Sequence, residues 1–423
     1  MNVIVFEDAA VGQLEPLTTA RPACDLMIGC FSLVEALGHF GPVRRAVRPH
    51  LARYLTALAG CRTALWGGAT TVVAADRPTS SHGAVLLVVN ARVVPSRATL
   101  VALRSLVEAG HRAVVRQGST IAAALLHVRA DGSGPDQAAA DAILADPAAV
   151  DERIDLLGLP AVDVELDMVA QAHEAVDWHE RSIAEALAVQ IDSGRFRELR
   201  RGLFVAEGVE IVEPIVVRDG PVVVDSEARI GPFVCLDGPI WIGRGARVNP
   251  HAWIRAATAL GTECRVGGEV EATVMEPWSN KPHDGFLGHS HIGSWVNLAA
   301  GTITGNLKAT YGPVRLHTPT ADGGRTTIHT GRQFLGALVG DLVKTAVNTS
   351  LPCGARIGVA STVGGAAPES VAAFTNLIVP GGERTTAEQA AIVLGRMMER
   401  RSMAIQEADR DLLQELVAAS RPV

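Results

Sequence analysis

The stretch from Ser279 to Asn306, SNKPHDGFLGHSHIGSWVNLAAGTITGN, gathers the residues best able to do chemistry. His283 stands beside Asp284, and an imidazole, titrating near neutrality, can accept and return a proton within one reaction cycle. Amide side chains follow at Asn297 and Asn306 with the small-residue run AAGTIT between them. A proton acceptor, amide donors and a closely approaching backbone suit acyl transfer, provided that a rigid element holds them in place.

The apolar spacing identifies that element. Ile211, Val217 and Val223 are six residues apart, and after a one-residue slip Ile230, Leu236, Ile242, Val248, Ile254, Leu260 and Val266 keep the same spacing. Phe286, Ile292, Leu298 and Thr304 continue it, and Val339, Thr345, Leu351, Ile357 and Val363 complete it. Helices repeat at 3.6 and strands at 2, whereas a triangular β-helix built from six-residue sides turns one aliphatic residue inward per side. The spacing predicts a left-handed parallel β-helix over 206–380, with Val270–Gly285 and Leu307–Gln333 as loops that break the hexad. The Leu307–Gln333 insertion carries Lys308, Arg315, His317, Arg325 and His329.

Ahead of the repeat, VIVF, FSLVEALGHF, TALWG, AVLLVV and HRAVVRQ alternate strand-like and helical segments. That alternation predicts an α/β (Rossmann-like) domain over 1–160 around a parallel sheet. A helical linker over 161–205 follows, in which His173 and His179 read as surface or satisfied residues. The 381–423 tail predicts an amphipathic helix starting at a threonine cap.

The bulk numbers exclude several classes. A net charge of −7 without basic tracts argues against nucleic acid. The six cysteines, Cys24, Cys30, Cys61, Cys235, Cys264 and Cys353, form no CxxC pair and signal neither disulfides nor a metal site. The start MNVIVFEDAA lacks a basic, long-apolar leader, and no apolar run is long enough for a membrane span. The expectation is a soluble cytoplasmic protein without membrane or metal.

Two resemblances refine this reading. FEDAAVGQLEPLTTARPACDLMIGCFSLVEAL resembles the opening of the sugar-phosphate nucleotidyltransferases. In that family a glycine-rich loop holds the nucleotide phosphates and a later strand ends in a magnesium-binding aspartate. Here the loop is DAAVGQLEP, and Asn90, Ala91 and Arg92 stand where the carboxylate should fall. The resemblance therefore implies a nucleotidyltransferase fold of degenerate site, needing Mg only if active, with Arg21 left as its nucleotide-binding residue.

NPHAWIRAATALG, NKPHDGFLGHSHIGSWVNLAAGTITGN and ARIGVASTVGG resemble the acetyltransferase half of the GlmU-like, hexapeptide-repeat enzymes. The resemblance implies His283 as catalytic base, Arg255 on the substrate phosphate, and Asn297 and Asn306 on the sugar. Phe286 replaces a tyrosine, Lys281 is a candidate substitute for a missing lysine, and Asp284 is a candidate for orienting the base. Ala360 and Ala337 fall along the coenzyme A arm. The implied activity is acyl transfer, acetyl in the family, from acyl-CoA to an amino sugar phosphate or nucleotide sugar in a homotrimer. The alternatives are sugar-1-phosphate nucleotidyl transfer and a non-catalytic trimer that binds a nucleotide sugar.

Overall fold

The computed structural model describes residues 1–59, 64–66, 84–128, 134–319 and 325–420. Cys61, part of the TALWG segment and the side chain of Arg325 lie outside these residues. The N-terminal strands form a six-stranded sheet in the order Val43–Ala46, Asn2–Phe6, Ala84–Asn90, Thr120–Val128, Ala113–Gln117, Ala161–Val162. Both faces are apolar, as a sheet covered on two sides requires. Val3, Val5, Leu87 and Val89 enter one core, while Ile4, Phe6, Leu86 and Val88 enter the other.

The sheet is mixed where a parallel one was expected, because Thr120–Val128 runs antiparallel to both neighbours. The cause is local. Gln117 pairs with Thr120 across a turn containing Gly118 at φ +59°, which leaves no room for a crossover helix.

The following segment is a parallel β-helix of three sheet faces. The first is a ten-stranded sheet running from Arg197–Arg200 to Ser370–Val371. The second stacks Glu210–Ile211, Arg229–Ile230, Arg247–Val248, Arg265–Val266 and Asn280–Lys281, and the third stacks Val216–Arg218, Cys235–Asp237, Trp253–Ile254, Glu269–Glu271 and Phe286–Gly288. Ile230, Leu236, Ile242, Val248, Ile254, Leu260 and Val266 all lie in one axial core.

Three details of the hexad reading change. Val222 and Val224 point into the axis while Val223 faces outward onto Ile183, Ala186 and Leu187 of the helix Glu174–Asp192, so the slip falls inside that strand. Leu287 is the inward residue, and Phe286 faces out. Val270–Gly285 is not a loop: Glu269–Glu271, Val274–Met275 and Asn280–Lys281 are coil strands in register with the coil before. Gly267 and Gly268 shorten one corner, so the inward Val266 and Val270 are four apart instead of six. Leu307–Gln333 does leave the coil, as a hairpin of Arg315–Pro319 and Arg325–His329. Val314 just before it and Leu316 within it pack into the N-terminal core, and Arg332 pairs with Asp177 and, at 2.5 Å, with Glu180. The insertion thus straps the β-helix to the linker helix.

The tail forms two helices instead of one, Ala387–Glu399 and Glu407–Ala419, because the chain reverses near Ser402 at φ 55°. Thr386 caps the first, with a capping box to Gln389. These helices join Leu51, Tyr54 and Leu55 of the N-terminal domain and Trp295, Val359 and Phe374 of the β-helix in a common core. No described helix is long and apolar enough to cross a membrane.

Candidate functional site

His283 lies in the corner between the second face, ending at Lys281, and the third, resuming at Phe286. Its side chain is exposed, as is that of Asp284, and among the described residues no hydrogen bond joins the two. Asp284 instead anchors the corner through its backbone oxygen, which accepts from Gly301 N at 3.1 Å. The corner is held from below. Lys281 occupies an inward position with 1% exposure, and its Nζ donates to Gly267 O at 3.1 Å and to His283 O at 2.9 Å. Burial draws its ammonium down to about 8 against the opposing pull of Asp284. Lys281 is therefore a positioning residue and not, as expected from the sequence, a substrate ligand.

Gly268 makes this arrangement possible. A Cβ there would stand 2.9 Å from Lys281 Nζ and 3.0 Å from His283 O, and the residue's φ of +73° also favours glycine. Lys281→Met is expected to retain the melting temperature, because the inward site accepts an apolar side chain. It should lower turnover on the order of 10²-fold by releasing the His283 carbonyl. Steady-state kinetics beside thermal melts check both, and an unchanged rate would remove the positioning role.

The other expected residues divide between two faces. Asn297 bridges Asn280 and Lys344 on the second face and shares a cleft of about 700 Å³ with His283, Asn249, Arg247, Arg265 and Lys344. The helix Ala387–Glu399 and the residues after it form its other wall. Lys344 Nζ donates to Leu342 O at 2.6 Å, and burial draws its ammonium down to about 8.

Arg255, Phe286 and Asn306 stand on the third face or at its edge. Arg255 Nη1 lies 2.9 Å from Glu269 and 2.8 Å from Glu271, with its guanidinium 4.8 Å from the centre of the Trp253 ring. A substrate phosphate there would meet two carboxylates, so Arg255 does not serve as the phosphate ligand expected from the sequence. Asn306 Nδ2 is 3.0 Å from His289 Nδ1, and the His289 ring stacks on Phe334. Burial, with Arg332 and Arg255 adding to it, draws His289 down to about 4, so its ring is neutral and can accept this hydrogen bond. Gly288 leaves the space Phe286 and Asn306 share, since a Cβ there would lie 2.3 Å from Phe286 Cζ and 3.1 Å from Asn306 Nδ2.

Three expectations are corrected by burial. Arg21 has 0% exposure and bridges the domains, with Nη1 2.8 Å from Glu276, Nη2 on Asp341 and 2.8 Å from Ser294 Oγ. No face of its guanidinium is left for a nucleotide. Ala360, 8% exposed, lies in the core beneath the C-terminal helices. Ala337 is inside the axial core, with its N–H donated to Ser290 Oγ at 2.9 Å. Neither alanine offers a surface for a coenzyme A arm.

The changed nucleotide loop has its own geometry. Ala9–Leu14 is a 3₁₀ helix in which Val11 N and Glu15 N donate to backbone oxygens and Ala10 N to Asp8 Oδ1. Arg92 then binds Asp8 through Nη2 at 2.6 Å and Nε at 2.9 Å, while Asn90 Nδ2 donates to Asp8 at 2.8 Å. A guanidinium and an amide thus occupy the Asp8 carboxylate, and they come from Asn90 and Arg92, the position at which the metal-binding aspartate was expected.

Sequence reasoning passed over Arg247, Arg265, Lys344 and Arg401. The available signal for Arg247 and Arg265 was their shared coil position eighteen residues apart; Lys344 joins them only after the shortened corner at Gly267–Gly268 and the hairpin are counted, and Arg401, which follows the helix Ala387–Glu399, had no such signal.

Residues 3–191 match the family model described as sugar nucleotidyl transferase. Among curated relatives, the bifunctional protein GlmU of Methanococcus vannielii is 35% identical over 115 residues, 27% of this chain and 26% of that protein. The bifunctional sugar-1-phosphate nucleotidylyltransferase/acetyltransferase of Sulfurisphaera tokodaii is 35% identical over 158 residues, 37% of this chain and 38% of that one. GlmU of Methanocaldococcus jannaschii is 40% identical over 149 residues, 35% of either chain. The matches thus span between about a quarter and two-fifths of these relatives' lengths. Among solved structures, the acetyltransferase domain of PglB from Neisseria gonorrhoeae with acetyl coenzyme A aligns at TM-score 0.21 and 12% identity, over 44% of this chain and 62% of that one. LpxA from Acinetobacter baumannii aligns at TM-score 0.21 and 12% identity, over 51% and 97%. The family resemblance read from the motifs is borne out by the family match and the curated relatives.

Proposed function

We propose that the chain is an acyl-CoA-dependent N-acyltransferase, acetyl in its closest chemistry, acting on an amino sugar phosphate or nucleotide sugar with His283 as general base. The observation that carries this reading is the exposed His283 at a corner fixed by Lys281, opening into the same cleft as Asn297. As the acceptor amine attacks the thioester carbonyl, an N–C bond forms and the C–S bond breaks. His283 takes the amine proton and returns it to the departing sulfur, so the imidazole ends as it began. The test is free-thiol release from acetyl-CoA in the presence of a panel of amino sugar phosphates and nucleotide sugars. Release that does not depend on the acceptor would count against this reading.

The bifunctional name of the Sulfurisphaera tokodaii relative favours a second reading, nucleotidyl transfer by the N-terminal domain. The replacement of the expected aspartate by Asn90–Arg92, with Arg92 turned onto Asp8, opposes it, because phosphoryl-type transfer relies on cations that offset charge on the phosphate oxygens. The expected result is no magnesium-dependent pyrophosphate release from nucleoside triphosphates and sugar-1-phosphates, and steady release would reinstate this activity.

The homotrimer also belongs to this proposal. The linker helix covers the first face and the C-terminal helices cover the later coils of the second, while the third exposes Val216 at 52%, Trp253 at 37% and Ile303 at 46%. A neighbouring copy on the third face would stand beside Phe286, Asn306 and the His283 corner. Light scattering should give three times the chain mass, and Ile303→Glu should shift it toward monomer; a monomeric wild type would contradict the assembly.

A further inference from the structure

The outward residues of the second face stack in register on successive coils. Arg229 pairs with Arg247, Arg247 with Arg265, Arg265 with Asn280, Asn280 with Asn297, and Asn297 with Lys344. Adjacent strands lie about 4.8 Å apart, so the fold holds like charges directly over one another, which is unfavourable without a counter-charge. Arg229 has one in Glu210 at 3.2 Å. Among the described residues Arg247 and Arg265 have no ion-pair partner, and Glu263, whose charge acts on Arg265, pairs with Arg401 at 3.0 Å.

The opposite wall adds more positive charge. Arg396, Arg400 and Arg401 line the cleft with Arg247, Arg265 and Lys344, and no carboxylate is among its lining residues. Arg401 reaches across to Asn280 Oδ1 at 2.9 Å, joining helix and ladder. Arg265 Nε is buried with no hydrogen-bond partner among the described residues. Burial, with Arg247 and Arg400 adding to it, also lowers the Arg265 pKa.

A chain with net charge −7 has thus gathered five arginines and a lysine around a cleft without acid. A single phosphate carries about two negative charges, fewer than this wall can meet, and arginine is suited to binding phosphate oxygens in pairs. We infer that this cleft binds a diphosphate group, of the kind carried by a nucleotide sugar or by coenzyme A, through Arg247, Arg265 and Arg400. It takes over the anion-binding role that Arg255, neutralised by Glu269 and Glu271, does not fill. Assigning the diphosphate to a substrate rests on the acyltransferase reading; the binding itself does not.

The test is calorimetric titration of the full chain with inorganic pyrophosphate and with inorganic phosphate, followed by competition with UDP and with coenzyme A. Pyrophosphate is expected to bind at least tenfold tighter than phosphate, and Arg265→Gln to weaken it at least tenfold. Arg247 is exposed, so Arg247→Gln provides the same comparison should Arg265→Gln fail to fold. Displacement by UDP assigns the site to a sugar nucleotide and displacement by coenzyme A to the acyl donor; either supports the inference. Displacement by neither, equal affinity for the two anions, or binding that both substitutions leave unchanged would overturn it. Arginine-dependent pyrophosphate binding without thiol release would support the inference and remove acyl transfer alone. Thiol release with a KM unaltered by Arg265→Gln and Arg247→Gln would remove the inference alone.

Discussion

His283→Ala is expected to lower acceptor-dependent thiol release by about 10²- to 10⁴-fold, the range typical of losing a general base. The fold should be unaffected. The imidazole is exposed and makes no hydrogen bond within the described protein, and the corner is held by the residue's backbone oxygen on Lys281 Nζ. The substitution therefore separates chemistry from structure, since a lost rate with an unchanged melting curve is what a base predicts. A rate within threefold of wild type would mean that the proton goes elsewhere.

The second large effect concerns stability. Arg21→Met should destabilise the chain by about 3–5 kcal/mol, because it leaves Glu276 and Asp341 buried without their cation. Glu276 also accepts from Met27 N at 2.9 Å and lies 3.0 Å from His291 Nε2, so the loss falls on the junction of the N-terminal domain with the β-helix. Burial pushes the Glu276 carboxyl up, but Arg21 and then His291 outweigh it and hold it below its usual range. A depressed carboxylate contributes stability above its unfolded pKa, near 4.3, and that contribution disappears as pH falls through the folded value. In Arg21→Met only His291 and Met27 N still oppose burial, so the carboxyl rises from its wild-type value and protonation relieves the variant. The stability gap to wild type should therefore narrow as pH falls from 7 toward 4. Urea unfolding across that range checks both parts, and a gap under about 1 kcal/mol at pH 7 would contradict them.

The regular coils were legible because one aliphatic residue per six has no other structural cause. The reading failed where corners shorten. A step of four positions from Val266 to Val270, and a lysine at an inward position, made a continuous coil resemble a loop. Lys281 could not be placed from sequence because a buried ammonium needs acceptors, and its acceptors are backbone oxygens of Gly267 and His283. Arg21 read as a nucleotide ligand for the same reason: its carboxylates, Glu276 and Asp341, lie more than 250 positions away and come together only when the domains dock. Motif matching found His283 and Asn297, which share a cleft, but could not report that Glu269 and Glu271 neutralise Arg255. The alanines at 337 and 360 were misplaced because the axial core and the C-terminal helices cover what a bare prism would expose.

The most direct measurement is release of free thiol from acetyl-CoA by the 423-residue chain, with and without each amino sugar phosphate or nucleotide sugar, in wild type and His283→Ala. The account predicts acceptor-dependent release by the wild type that the substitution reduces at least 100-fold, with an N-acetylated product. Absence of acceptor-dependent release across the panel, or equal release by both proteins, would contradict it.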